Sequence, residues 1–486
     1  MPPRATLPIL LGPLVLAALC APIGTAAESP KETVVRDIGS RRELFVDHWL
    51  IDRLKTARLR LHQPEPRELA IRYNKPWEGI LSGDPIIFKD GDVYRMYYRG
   101  LPKAGVDGTD REVTCYAESP DGIHWKKPIL RLFEVDGSRE NNVILAHMPP
   151  LSHNFAPFLD TNPKAKKSER LKAVAGCAGG LRALASADGV HWKLLRKKAV
   201  FTKGAFDSLN VAFWSPDEKC YVCYFRTWDG FRTISRTTSP DFIHWAEPKP
   251  MTYGDTPREH LYTNGTQPYF RAPHIYVAIA ARFFPGRQIL SDAEAKARGV
   301  HASYFKDCSD TVLMSTRGGT TYDRTFMESF IRPGVGLTNW VSRTNYPGYG
   351  VVPTSPTEMS VYIRRDYAQP TAHVQRCVLR TDGFVSVNAG YRGGEMVTHP
   401  LKFAGKQLEI NFATSAAGSL RIELQDTKGA PIPGHTLRDA VPLIGDEIAR
   451  TVTWQKAGPD VRALAGKPIR LRVVLRDADL YSIKFQ

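Results

Sequence analysis

The sequence predicts an all-β chain: a five-bladed β-propeller followed by a C-terminal β-sandwich. Three observations carry this. A turn recurs as "SPDGIHW" (Ser119 to Trp125), "SADGVHW" (Ser186 to Trp192) and "SPDFIHW" (Ser239 to Trp245), with a decayed copy, "STRGGTTYD", from Ser315. The spacing, ~50–75 residues, suits a propeller blade with its loops. Upstream of these turns a strand–turn–strand unit repeats with period-two alternation, and five such units fit between about Gly79 and Asn388. After Tyr391 the pattern changes to long apolar–polar alternation with Gly turns, as in "LKFAGKQLEINFATSAAGSLRIELQD".

Taken in order, the chain opens with Arg4, an apolar run from Leu7 to Leu19, then the small residues "GTAAES". That order reads as a signal peptide over residues 1–27, and an exported, secreted or periplasmic protein is expected. The run is short of the roughly 20 residues a membrane span needs, so no membrane insertion is expected. Residues 28–78, including "ELFVDHWLIDRLKTARLRLHQP", should pack on the propeller and help close its ring. The propeller is placed at 79–391. Its first strands are read as "PIIF", "APFL", "VAFW", "QPYF" and "SVYI", and its second strands as "VYRMYYRG", "LKAVAG", "CYVCYFR", "HIYVAIAARF" and "HVQRCVLR". In the repeated turns, Ser and Asp make local hydrogen bonds and Trp anchors the turn on the core. His124, His191 and His244 in those turns are read as packing residues. One short helix is expected, in "SDAEAKARGV" (Ser291 to Val300). Residues 392–486 are read as the β-sandwich.

The net charge is +16. An acidic polysaccharide is one partner this charge admits, and an evenly solvated basic surface explains it as well. No basic run is interleaved with aromatics, which argues against nucleic acid. Cys220 and Cys223, in "KCYVCYF", point to opposite faces of a strand, and no second pair completes a metal knuckle. No metal or cofactor is expected.

In a propeller the innermost strand of each blade faces the axis, so residues at the starts of these strands gather at one mouth. The alignment brings together Asp84 in "SGDPIIF", His153 and Asn154 in "SHNFAPF", Asp207 and Asn210 in "FDSLNVAFW", and Glu358 in "SPTEMSVYI". Blade four adds Glu259, Tyr262, Asn264 and Gln267 in "REHLYTNGTQPYF", with Arg271 and His274 in "YFRAPHIY" as further candidates. Acids and amides at strand starts also satisfy loose backbone groups, so a single such residue says little. The repeated register is what favours a polar pocket. Asp160 is read as a turn former, and Asp121, Asp188 and Asp241 as structural.

The stretch "GDPIIFKDGDVYRMYYRG" resembles the first blade of glycoside hydrolase families 32 and 43, and "SPDFIHWAEP" resembles their Ser-x-Asp turns. The resemblance covers blades one to three, and the C-terminal segment is similar to the sandwich that follows the propeller in family 32. It implies a divergent relative in which Asp84 is the base or nucleophile. The family 32 motifs Arg-Asp-Pro and Glu-Cys are absent, so Glu358, Glu259 and Asp207 are candidates by position alone, with Glu358 favoured as the acid. The expected function is hydrolysis of a glycosidic bond by carboxylate acid–base chemistry. A carbohydrate-binding propeller without catalysis is the alternative. A sialidase fits less well, because no trio of arginines stands at the strand starts.

Overall fold

The computed structural model describes residues 34–486, and the expected signal peptide lies outside them. Five antiparallel sheets form the propeller. Blade one is Gly83–Asp90, Val93–Gly100, Val113–Ser119 and Val143–Leu145. Blade two is Ala156–Leu159, Leu171–Ala175, Arg182–Ser186 and Lys193–Leu194. Blade three is Val211–Ser215, Cys220–Trp228, Arg232–Ser239 and Lys249–Pro250. Aromatic and β-branched side chains from neighbouring blades interlock in one core, with Tyr97, Phe155, Phe213 and Tyr276 among its members.

The inner strand of blade four is interrupted. His260–Asn264 and Gln267–Tyr269 both pair with the long strand Ala272–Phe284, which pairs in turn with Cys308–Thr316. The expected helix follows as Asp292–Ala297. Ser291 caps it, accepting from the Glu294 amide while the Glu294 carboxylate accepts from the Ser291 amide.

Blade five departs from the expected alignment by one strand. The axis-facing segment is Tyr346–Pro353, in "YPGYGVVP". Tyr349 bridges Ile86 of blade one in parallel, and Val352 pairs with Ser360. The strand holding "SVYI", Glu358–Arg365, is therefore the second of the blade, and "HVQRCVLR", His373–Arg380, is the third. The fourth is Glu65–Arg72, from the beginning of the chain, paired antiparallel with His373–Arg380. The ring closes on that pairing.

The rest of the N-terminal segment joins the C-terminal sheet instead. Arg42–Leu44, Ile51–Lys55 and Arg58–Leu61 enter an eight-stranded sheet with Val385–Ala389, Gly394–Thr398, Leu408–Gln425, Asp446–Thr451 and Arg470–Phe485. Arg36–Gly39 pairs in parallel with Leu401–Phe403. This sheet has its own core, centred on the fully buried Trp454, whose indole N–H donates to the Ile422 carbonyl at 2.9 Å.

Between the sheet and blade four lies a buried polar joint around Asp382, which is fully buried. Its carboxylate accepts from the Tyr269 hydroxyl (2.7 Å), Arg271 (2.9 Å), Ser482 (2.7 Å) and Asn411 (3.2 Å). Beside it, Glu43 pairs with His274 (2.9 Å) and Arg317 (2.8 Å).

The three repeated turns have one bond set. Each Ser hydroxyl accepts from the amides two and three residues on, and each Asp carboxylate accepts from the two amides after that. Trp125, Trp192 and Trp245 donate to backbone carbonyls at 3.0–3.1 Å. The histidines do not pack, contrary to expectation. They are exposed, and each ring Nδ1 meets its own Asp121, Asp188 or Asp241 at 2.7 Å.

Candidate functional site

At the mouth where the inner strands begin, all five blades line a cavity of about 450 Å³. That is a usual size for a small-molecule site. Blade one contributes Asp84 and Arg99, blade two His153 and Cys177, blade three Asp207, blade four Tyr262 and blade five Arg343, Tyr346 and Arg364.

Asp84 sits at φ 53°, a left-handed conformation that Asp tolerates better than most residues. Its carboxylate meets Arg364 at 3.1 Å and Arg99 at 3.3 Å. The preceding residue has to be glycine for this clamp. A Cβ on Gly83 would lie 2.5 Å from the Arg364 side chain. Burial works to raise the Asp84 pKa, but Arg364, Arg99, His153 and Arg343 outweigh it and hold the carboxyl below its ordinary 3.8. Asp84 is thus ionised, with its side chain 12% exposed to the pocket.

Across the pocket His153 is buried, and its Nδ1 meets the Glu112 carboxylate at 2.9 Å. Glu112 is itself fully buried, with Arg99 Nε 3.7 Å away. The other ring nitrogen, Nε2, is buried without a partner in the protein. Tyr262 lies under three guanidinium groups, Arg232 at 4.7 Å, Arg226 at 4.9 Å and Arg343 at 5.6 Å from its ring. Burial pushes the Tyr262 phenol up, yet Arg343, Arg226 and Arg232 prevail and bring it below the usual tyrosine value. Tyr346, in the same cavity, goes the other way because burial dominates there.

The strand-start register thus gathers Asp84, His153, Asp207 and Tyr262. Asp207 stands at the rim, ion-paired with Arg226. The remaining candidates lie elsewhere. Glu358 begins the second strand of blade five, and Arg364 near that strand's other end is the residue touching Asp84. Six residues of strand put Glu358 about 20 Å away. It pairs with Arg376 at 2.9 Å and lines a separate surface cavity with His62 and Arg67. Glu259 is held by Arg282 at 2.8 Å and Arg324 at 2.5 Å, and lines another cavity with Asp229 and Phe231.

The amides serve the backbone. Asn154 donates to the Phe206 carbonyl, joining blades two and three, and Asn210 donates to Phe206 and Ser208 carbonyls. Asn264 accepts from Thr266 within the break of the blade-four inner strand. Gln267 accepts from the Val351 amide and lines an apolar cavity with Phe88, Trp214 and Phe270, where the inner strands end. Arg271 and His274 belong to the joint with the C-terminal sheet. Glu259 and Glu358 both lie outside this cavity, so Glu259→Gln and Glu358→Gln should each leave any glycan turnover within about twofold of wild type, although Glu259→Gln also strips the carboxylate shared by Arg282 and the buried Arg324. A loss of two orders of magnitude in either variant would put the chemistry at a different mouth.

The sequence reading missed the arginines. Second strands end in arginine in blades one, three, four and five: Arg99 in "YYRG", Arg226 in "YFRTW", Arg282 in "AARFF" and Arg364 in "YIRR". In an antiparallel hairpin the end of the second strand lies beside the start of the first. Arg99 is paired with Gly83 in this way. The signal was visible, one strand away from where the alignment looked.

No family model and no curated relative matches the chain. Among solved structures it is similar to one described as a glycoside hydrolase, with 11% identity, a TM-score of 0.44, and 65% of this chain and 92% of that chain covered. It is also similar to an N-acetylgalactosamine deacetylase from F. plautii in complex with blood group B trisaccharide (12% identity, TM-score 0.44, 67% and 96% covered). A third is a fructofuranosidase from Schwanniomyces occidentalis complexed with fructosylnystose (10% identity, TM-score 0.40, 85% and 96% covered).

Proposed function

We propose that the protein is an exported glycoside hydrolase that cleaves a glycosidic bond of a poly- or oligosaccharide in the axial pocket. The observation that carries this is Asp84, a carboxylate kept ionised at the meeting point of the five blades, facing a cavity lined by polar groups. In this reading Asp84 is the base or nucleophile. As base it takes a proton from water as the oxygen bonds to the anomeric carbon. The bond to the leaving oxygen breaks, and that oxygen takes a proton from a general acid. Glu259 and Glu358 are too far from Asp84 for this. His153 fits the role through Nε2, with Glu112 orienting the ring from Nδ1 as carboxylates orient histidines elsewhere. The C-terminal sheet would fold over its own core as a sandwich. Both long strands break near the same level, one at the shift between Thr414 and Ser419 and the other at Asp477, with φ 44°.

The alternative, a carbohydrate-binding propeller without catalysis, gains support from the same displacement of the two glutamates. A hydrolysis screen over a glycan library, with Asp84→Asn as control, separates the two. The hydrolase reading expects product from the wild type and none from the variant. Binding without cleavage by the wild type would leave the binding reading. Neither binding nor cleavage would remove carbohydrate from consideration.

A further inference from the structure

We propose that the pocket selects a sugar carrying an anionic group, a carboxylate or a sulfate ester, and that Arg343 receives that group. The inference deepens the carbohydrate reading of the same site and rests on it.

The pocket's charges are matched with one exception. Asp84 takes Arg364 and Arg99. Asp207 takes Arg226, and Glu112 takes His153. Asp107, at the rim, lies 3.9 Å from Arg99. Arg343 lines the same cavity, yet among the described residues its guanidinium has no carboxylate within ion-pair distance and no hydrogen-bond acceptor. What it has are ring faces, Tyr304 at 4.9 Å and Tyr262 at 5.6 Å. Those faces hold the cation in place but satisfy none of its N–H groups.

The local backbone is arranged around this residue. Arg343 itself is at φ 58°, in the left-handed region that a branched or long side chain rarely adopts. Its carbonyl accepts from Arg364 Nε at 3.1 Å and Nη2 at 2.8 Å, so Arg364 ties the Arg343 backbone to the Asp84 clamp. The guanidinium is thereby fixed beside Asp84 with its donors free. A partly buried cation of this kind, with no carboxylate beside it, is stabilised by a planar or tetrahedral oxyanion, for which the guanidinium fork is the matching donor set. A neutral sugar would leave it unpaired, and burying an unpaired charge costs affinity.

The test is calorimetric titration of the full protein against matched sugars. These are oligosaccharides of galacturonate, glucuronate and mannuronate, the same chains after carboxyl reduction, and keratan sulfate oligosaccharides, which carry no uronate, with their desulfated forms. At least one anionic member should bind about tenfold or more tightly than its neutral counterpart. Which pair shows the ratio distinguishes carboxylate from sulfate. In Arg343→Gln the ratio should fall to about one, and Arg343→Lys should keep part of it. Among the described residues Arg343 makes no side-chain hydrogen bond, so Arg343→Gln should lose only its two ring contacts and both variants should still unfold cooperatively within a few degrees of wild type, which removes misfolding as a cause. Equal binding of charged and neutral partners overturns the inference, as does a ratio that survives Arg343→Gln; either outcome leaves the carbohydrate reading standing. Failure of every sugar, neutral ones included, overturns the carbohydrate reading and this inference with it.

Discussion

Asp84→Asn should lower turnover of a cleaved glycan by about 10²–10⁴-fold while leaving the propeller folded. Asn is the apt replacement because it tolerates the left-handed backbone at φ 53° and keeps the side chain's size. What it removes is the charge shared by Arg364 and Arg99. At neutral pH the variant should be less stable by roughly 1–3 kcal/mol, because the buried Arg364 loses its counter-ion and Arg99 keeps only the more distant Glu112 and Asp107. The pH dependence has a definite sign. Asp84 is held below its ordinary 3.8 when folded. Its contribution is therefore complete above about pH 4 and is lost as the pH falls through the lower folded value. Denaturation curves of the two proteins should keep a constant gap from pH 5 to 8 and converge only in stronger acid. For the same reason Asp84 should not set the acid limb of the activity profile. Undiminished turnover in Asp84→Asn would end the hydrolytic assignment and leave the binding reading.

Asp382→Ala should cost about 3–5 kcal/mol in a urea unfolding experiment. The carboxylate is fully buried and gathers Tyr269, Arg271, Ser482 and Asn411, with Arg42 at 3.5 Å. Truncation leaves Arg271 without its counter-ion and several neutral donors without an acceptor. Asp382→Asn should lose less, since it suits the left-handed backbone at φ 64° and keeps one carbonyl. A loss below about 1 kcal/mol for the alanine variant would show that water or rearranged partners replace the joint.

The propeller was legible because its turns are written locally. Ser119, Asp121 and Trp125 make their bonds within six residues of chain, so the pattern survives in sequence. The capped helix was legible for the same reason, through Ser291 and Glu294. Blade five was not. Its axis-facing segment, "YPGYGVVP", has prolines and glycines where alternation should be, and the next strand, with "SVYI", imitates an inner strand better. That one-strand shift carried Glu358 to the wrong end. Gly350 shows why the segment looks so unlike a strand. A Cβ there would lie 2.1 Å from the Ile87 carbonyl, so the contact between blades five and one leaves no room for a side chain. Asp84, His153, Asp207 and Tyr262 were found because strand starts do converge. Arg343 and Glu112 were not, because their roles depend on partners distant in the chain.

The pairing of Glu65–Arg72 with His373–Arg380 sets a timetable for synthesis. The first of these strands leaves the ribosome about 300 residues before its partner, an interval of tens of seconds at ordinary elongation rates. Throughout that interval four blades can assemble, but the nascent ring stays open and the early strand has nothing to join. Such a strand invites the wrong neighbour, another nascent chain included. Its own sequence, "EPRELAIR", answers the hazard: two glutamates, two arginines and a proline in eight residues make it a poor template for strangers. In the finished blade Glu68 pairs with Arg376 of the adjoining strand, so the charge that makes the waiting strand a poor template for strangers finds its partner when the last blade arrives.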